Sequence, residues 1–117
     1  MPLVQVFTSA PAPAAAAQKA LLSELSKLLA ERFHKPERWV MTCLCPELAM
    51  TFGGDPAHAA FVAVKNVGKM TAEDTSDLSA ALCDRLSSAL GIARDRIYIE
   101  FGDAVGYLWG WNGDTFG

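Results

Sequence analysis

Cysteine is scarce in this sequence. Cys43, Cys45 and Cys83 are three in 117 residues, an odd number too small to staple a secreted disulfide framework, so a reducing compartment is expected. Basic residues are also few. Ten Lys and Arg against 13 Asp and Glu leave a formal net charge of -3, which argues against a nucleic-acid backbone or an anionic membrane as the partner. No apolar run approaches the roughly 18 residues of a membrane span. The opening MPLVQVFTSAPAPAAAA lacks a basic segment, and Gln5, Thr8 and Ser9 break its apolar stretch, so no secretory leader is expected. These absences predict a cytoplasmic chain with no nucleic-acid or membrane partner, and they leave export without a signal peptide open.

Apolar side chains are plentiful. At 117 residues the chain has the size of one domain, and 51% of it is hydrophobic. A domain this small buries roughly two thirds of its unfolded surface, which leaves more apolar surface than one core hides. Self-association is the expected outlet.

The apolar pattern divides the chain into six elements. Leu3, Val4, Val6 and Phe7 predict a strand ended by Ser9, Pro11 and Pro13. From about Ala14 to Phe33, Leu22, Leu25, Leu29 and Phe33 recur at helical spacing, and Pro36 stops the helix by forcing Lys35 out of helical geometry. Trp39 to Cys45 reads as a second strand, and Glu47 to Pro56 as a loop with a short helical turn near Glu47 to Met50. Ala59 to Lys65 is a third strand. Thr71 then opens a helix with Glu73 and Asp74 in its first turn, Leu78, Leu82, Leu86 and Leu90 along one face, and Gly91 as its stop. Arg96 to Phe101 alternates as a fourth strand, and the tail from Val105 is rich in Gly and aromatics. The expectation is an α+β fold made of a pseudo-repeat, about 2–56 and 57–117. Two βαβ units give a mixed four-stranded sheet with both helices on one face. Other copies of the chain would cover the opposite face.

Pro2 is the most informative residue for chemistry. A small penultimate residue favours removal of Met1, and the exposed terminus would then be a prolyl secondary amine with fixed geometry. An ordinary α-amino group titrates at roughly 8. Apolar surroundings or a nearby cation lower that value, and an amine neutral near pH 7 is a general base. Taken alone, Pro2 reads equally as a second residue of no consequence, and Lys35 as a solvated lysine at a helix C-terminus.

The wider pattern resembles the macrophage migration inhibitory factor family of the tautomerase superfamily. It is carried by Pro2, Lys35-Pro36, Phe52-Gly53-Gly54, Val67-Gly68-Lys69, Asp95-Arg96-Ile97-Tyr98-Ile99 and the closing Gly110-Trp111-Asn112-Gly113-Asp114-Thr115-Phe116. The resemblance covers the whole chain. It implies a homotrimer in which three sheets surround a central barrel-like channel, and keto-enol tautomerisation of arylpyruvates such as phenylpyruvate, or of dopachrome-like compounds. In that reading Pro2 is the catalytic base, Lys35 binds the substrate carboxylate and the backbone N–H near Val67 holds a substrate oxygen. Tyr98 comes from a neighbouring subunit, and Trp111 and Phe116 line an aromatic pocket. No cofactor or metal is implied.

Some positions depart from the mammalian members. Their CxxC falls at Ala57-His58-Ala59-Ala60, so thiol exchange there is not expected. Lys65 stands in place of a histidine, Glu100 of an asparagine and Trp109 of a valine at the expected pocket, which bears on substrate choice. Cys43 and Cys45 share a strand face by their spacing, and as two soft ligands without a fixed third they read as structural cysteines. Tyr98 also reads as a strand aromatic, and Trp111 and Phe116 as core or subunit packing. Besides the enzyme, the family pattern admits a cytokine-like protein that binds a receptor or intracellular partner, with tautomerisation incidental or vestigial.

Overall fold

The computed structural model describes residues 1–117. Strand β1 (Leu3–Thr8) is followed by helix α1 (Ala15–Phe33) and β2 (Met41–Cys45); β3 (Ala60–Val67) is followed by α2 (Ala72–Leu90) and β4 (Ile97–Ala104). The sheet order is β2-β1-β3-β4. β1 runs parallel to β2 and antiparallel to β3, and β3 runs parallel to β4. Each half is therefore a βαβ unit, and the two units join through their first strands.

Alternation decides which side of the sheet each residue serves. Pro2, Val4, Val6 and Thr8 are buried, as are Ala60, Val62, Val64 and Asn66 on β3. These positions face Leu21, Leu25 and Leu29 of α1 and Leu78, Leu82 and Leu86 of α2, which with them form the core. The stripe on α1 starts at Leu21, whereas the sequence pattern placed it on Leu22 and Phe33, which are half-buried. The i, i+4 ladder of 21, 25 and 29 matches the one of 78, 82 and 86, so both helices bury one leucine face. The other sheet face carries Leu3, Gln5, Phe7, Phe61, Lys65, Tyr98 and Glu100, and no helix of this chain covers it; Phe52 packs only on its Tyr98 end.

The helix ends are built differently. At α2, Thr71 Oγ1 accepts from the Asp74 N–H at 3.1 Å, and Asp74 Oδ2 accepts from the Thr71 N–H at 3.0 Å. This is a reciprocal capping box, and these bonds hold the Asp74 carboxyl below its ordinary value. Helix α1 has no side-chain cap on its N-cap Ala14. It ends earlier than Pro36 requires: His34 is left-handed (φ 52°), and the Lys35 N–H donates back to the Ala30 carbonyl at 3.0 Å. A 3₁₀ turn at Glu37–Trp39 then leads into β2, so the second strand begins at Met41 rather than at Trp39.

Other details differ from the sequence pattern. Glu47 to Met50 forms no helical turn, because the Glu47 and Leu48 N–H groups donate to the Ala10 and Thr8 carbonyls instead, both at 3.0 Å. β3 and β4 run on together through the pairs Asn66–Asp103 and Val67–Ala104. Loop 52–58 is held by Arg96, whose guanidinium donates to the carbonyls of Asp55 (2.9 Å), Ala57 (2.8 Å) and His58 (3.0 Å). The tail folds into a hairpin, β5 (Gly110–Trp111) with β6 (Asp114–Thr115). Its two-residue turn uses Asn112 and Gly113, both at positive φ. The hairpin end closes on Gly106, where an added Cβ would lie 2.6 Å from the Phe116 carbonyl oxygen.

Leu82 is fully buried at the centre of the core. Leu82→Ala is expected to lower the unfolding free energy by about 2–5 kcal/mol, read as a reduced urea midpoint at unchanged slope.

Candidate active site

The site forms at the head of β1. Pro2 has no N–H to give the ladder, so it precedes the strand, while its carbonyl accepts from the Met41 N–H at 3.0 Å and fixes β2 alongside. Its ring is fully buried. The preceding residue, Met1, lines a cavity of about 220 Å³. Met1, Pro2 and Leu3 form one wall, the segment Arg38 to Met41 a second, and Trp109, Gly110, Trp111 and Phe116 a third.

The aromatic side chains brace one another. The Trp39 ring stands edge-on to Trp111 at 4.7 Å between centroids and to Phe116 at 5.9 Å, and Trp111 stacks on Phe116 at 6.0 Å. Such contacts add roughly 0.5–1.5 kcal/mol each beyond area burial, enough to hold the tail hairpin against the start of β2. The Arg38 guanidinium lies 5.4 Å from the centre of the Trp39 ring. The ion pairs in the chain join Glu24 to Arg85 and Asp84 to Arg94, so Arg38 faces the cavity without an acidic partner.

Two effects lower the pKa of the Met1 amine below its ordinary value. Partial burial is the larger, because it disfavours the charged form, and the positive charge of Lys35 acts in the same direction. Lys35 stands there because the left-handed turn at His34 and the bond from the Lys35 N–H to Ala30 reverse the chain at the end of α1. A lowered amine, a cation beside it and apolar aromatic walls are the parts needed to bind an aromatic anion and move a proton on it.

The structure brings Pro2, Trp109, Trp111 and Phe116 together, with Lys35 near enough to act on the amine. Lys65 pairs with Leu3 and lies exposed on the open sheet face. Continuing that register by two residues sets Asn66 level with Pro2 and Val67 level with Met1. Asn66 is buried, and its Oδ1 has no hydrogen-bond partner. Glu100 pairs with Ala63, also on the open face. Tyr98 is apart from the cavity: it pairs with Phe61, is 66% exposed and packs on Phe52 at 4.7 Å between ring centroids. Since Phe61 pairs with Phe7, Tyr98 sits four strand positions beyond Leu3, on the order of 13 Å along the sheet.

Arg38, Trp39, Met41 and Asn66 are the residues that sequence reasoning missed. Trp39 was assigned to a strand, although its position just after Lys35-Pro36, where α1 hands the chain to β2, was the signal that it belongs beside Lys35.

The whole chain, residues 1–117, matches the family model described as macrophage migration inhibitory factor (MIF). The macrophage migration inhibitory factor of Rattus norvegicus is 34% identical over 116 residues, 99% of each chain. The crystal structure of a macrophage migration inhibitory factor homologue from Prochlorococcus marinus superposes with a TM-score of 0.93 at 44% identity, covering 98% of this chain and 99% of that one. The corresponding protein of Toxoplasma gondii superposes with a TM-score of 0.91 at 30% identity, covering 97% and 99%. With its two βαβ units, its site at the head of β1 and this match along its full length, the chain belongs to the macrophage migration inhibitory factor family and has the tautomerase-superfamily fold.

Proposed function

We propose that this protein is a keto-enol tautomerase for arylpyruvate-type substrates, with the prolyl amine of Pro2 as general base after removal of Met1. One observation carries the reading: a terminal amine held below its ordinary pKa at the edge of an aromatic-walled cavity. Loss of Met1 transfers the free amine to Pro2, one residue deeper beside the same cavity. The surroundings that lower the first amine then act on the second.

In the ketonisation of an enol and its reverse, one proton moves between carbon and oxygen. In the direction of the enol, the neutral Pro2 amine takes the proton from the carbon next to the carbonyl. The C–H electron pair becomes the new C=C bond, and the carbonyl π pair moves onto oxygen. A proton returned to that oxygen completes the isomer and leaves the enzyme unchanged. The Lys35 ammonium pairs with the substrate carboxylate. Trp39, Trp111 and Phe116 hold the ring, and the Val67 N–H donates to the substrate oxygen as charge develops there. Trp109 shapes the rim with Lys65, and Glu100, which lies on the open sheet face, would reach it from a neighbouring copy.

We further propose that the active form is a homotrimer. The open sheet face needs cover, and Tyr98, remote from Pro2 within one chain, would reach the cavity of a neighbour. A second reading, a cytokine-like protein that engages a receptor, is favoured by Val105, Tyr107 and Leu108, apolar side chains exposed near the tail. No helix is long and apolar enough to cross a membrane.

Intact mass is expected to show a chain lacking Met1 that ketonises enol-phenylpyruvate. Pro2→Ala is expected to reduce kcat/KM by 10²-fold or more, and a preparation that keeps Met1 should be inactive; wild-type rates in the Met1-bearing chain would refute the mechanism.

The pH profile follows from the sign of the shift. The base is active when neutral, so kcat/KM should rise with pH through an apparent pKa below roughly 8. Lys35→Gln removes a cation that opposes protonation, so this limb should move to higher pH and KM should increase. A limb that stays in place in Lys35→Gln would detach Lys35 from the base.

Light scattering should give three times the chain mass. Tyr98→Ala should lower activity while leaving that mass intact, and a monomer with full activity would contradict the trimeric site.

A further inference from the structure

Asn66 carries a buried polar atom that the fold leaves unpaired. The residue is 3% exposed, and its Oδ1 has no hydrogen-bond partner. Thr8, the other buried polar side chain, makes both of its bonds. An acceptor shut away from water has a donor in nearly every native protein.

The pairing of β1 with β3 shows where that donor would come from. The Ser9 N–H donates to the Ala59 carbonyl at 3.2 Å, so the hydrogen-bonded pairs fall on the odd residues of β1 and the even residues form the closer, non-bonded class. Even residues turn their backbone groups toward β2 instead, as Pro2 does in accepting from Met41. The register that pairs Leu3 with Lys65, carried one residue further, sets Asn66 opposite Pro2 in the closer class. Both residues are buried on the helix face. In such pairs the Cα atoms stand about 4.5 Å apart, and an asparagine carbonyl oxygen lies two bonds beyond its Cβ, within reach of the nitrogen opposite. The amide end leans toward that end of the strand: Nδ2 is 3.9 Å from the place a Cβ on Gly68 would occupy. With Met1 attached, however, the Pro2 nitrogen is a tertiary amide and has no hydrogen to give.

We propose that Asn66 is a positioning residue for the base: once Met1 is removed, its side-chain carbonyl accepts the N–H of the Pro2 amine. This rests on Pro2 acting as proposed above. The neutral amine has one N–H and one lone pair. With the N–H given to Asn66 on the core side, the lone pair faces the cavity. When that pair takes the substrate proton, the prolinium has two N–H bonds; Asn66 keeps the one it held, and the transferred proton stays on the cavity side, from which it is returned. An acceptor favours the charged form, so Asn66 acts against Lys35, which disfavours it. The other charged groups around this end of the sheet are Arg38 at the cavity, Lys65 on the opposite face of β3, Lys69 just beyond that strand, and Asp103, which pairs with Asn66 from β4 and accepts from the Met70 N–H at 3.1 Å.

The test joins a cycle of urea unfolding to pH–rate profiles. Four full-length chains enter the cycle, with and without Met1, each carrying Asn66 or Asn66→Leu. In the Met1-bearing chain Asn66→Leu removes an unpaired oxygen and should leave the unfolding constant unchanged or lower it. In the Met1-free chain, with the amine protonated, the same substitution breaks a bond to a charged donor and should raise the unfolding constant about tenfold relative to that result. In the profiles, Asn66→Leu and Asn66→Ala should move the acid limb of kcat/KM to lower pH by about one unit and reduce kcat about tenfold at little-changed KM. Asn66→Asp restores an acceptor and should bring the limb back to the wild-type pH or beyond it. Equal effects of Asn66→Leu on the two chain lengths would overturn the proposal, as would a limb unmoved in both Asn66→Leu and Asn66→Ala. The unfolding cycle needs no turnover, so coupling in a Met1-free chain that fails to ketonise enol-phenylpyruvate would defeat the tautomerase reading and still support the bond between Asn66 and the amine.

Discussion

Everything in this fold hangs on the alternation of β1. The strand pairs on both edges, with β2 and with β3, and every second residue from Pro2 to Thr8 is buried. A slip of one residue would turn Val4 and Val6 outward and put Gln5 against the leucines of both helices. Thr8 shows how closely the position is specified: its hydroxyl donates to the Ala59 carbonyl at 2.8 Å and accepts from the Ala10 N–H at 3.1 Å, so a buried polar group is fully used at the end of the strand. The same register delivers the head of the strand to the site. Pro2 is fixed through its carbonyl to Met41, and the residue before it, Met1, lines the cavity.

Electrostatics at the cavity are cationic. Lys35 and Arg38 stand within four residues of each other and neither is in an ion pair, although the chain as a whole is acidic, at -3. The net charge therefore says little about the local field at the cavity. Partial burial strengthens the effect of Lys35 on the amine, because fewer water dipoles separate the two. The aromatic contacts of Trp39 with Trp111 and Phe116 anchor the tail hairpin beside the same region.

The regular elements were legible because each carries its period on its surface. Leu78, Leu82, Leu86 and Leu90 cannot be read as anything but one helical face, and Thr71 with Asp74 marks its start. What escaped depends on contacts between distant residues. Leu22 and Leu21 are indistinguishable until the sheet shows which one it faces. Glu47 to Met50 lost its helical turn to carbonyls at Thr8 and Ala10, about 40 residues away in sequence. The hairpin was within reach, since Asn112-Gly113 between Trp111 and Asp114 is a local turn signal. At the site, Pro2, Lys35, Trp111 and Phe116 could be named from the family pattern, but Arg38 and Trp39 could not, because their role follows from the left-handed turn at His34 that swings the chain back over the head of β1.

The two halves of the chain are built alike, yet they are not chemically equivalent. β3 begins the second unit as β1 begins the first, and the residue before it, Ala59, is as buried as Pro2. Its nitrogen, however, is an amide that donates to the Ser9 hydroxyl at 3.0 Å. Duplicating a βαβ unit within one polypeptide duplicates its sheet and its helix, but the amine at the chain terminus is not copied. Under the proposed mechanism, catalytic capacity grows with the number of polypeptides brought together and not with the number of repeats that each one contains.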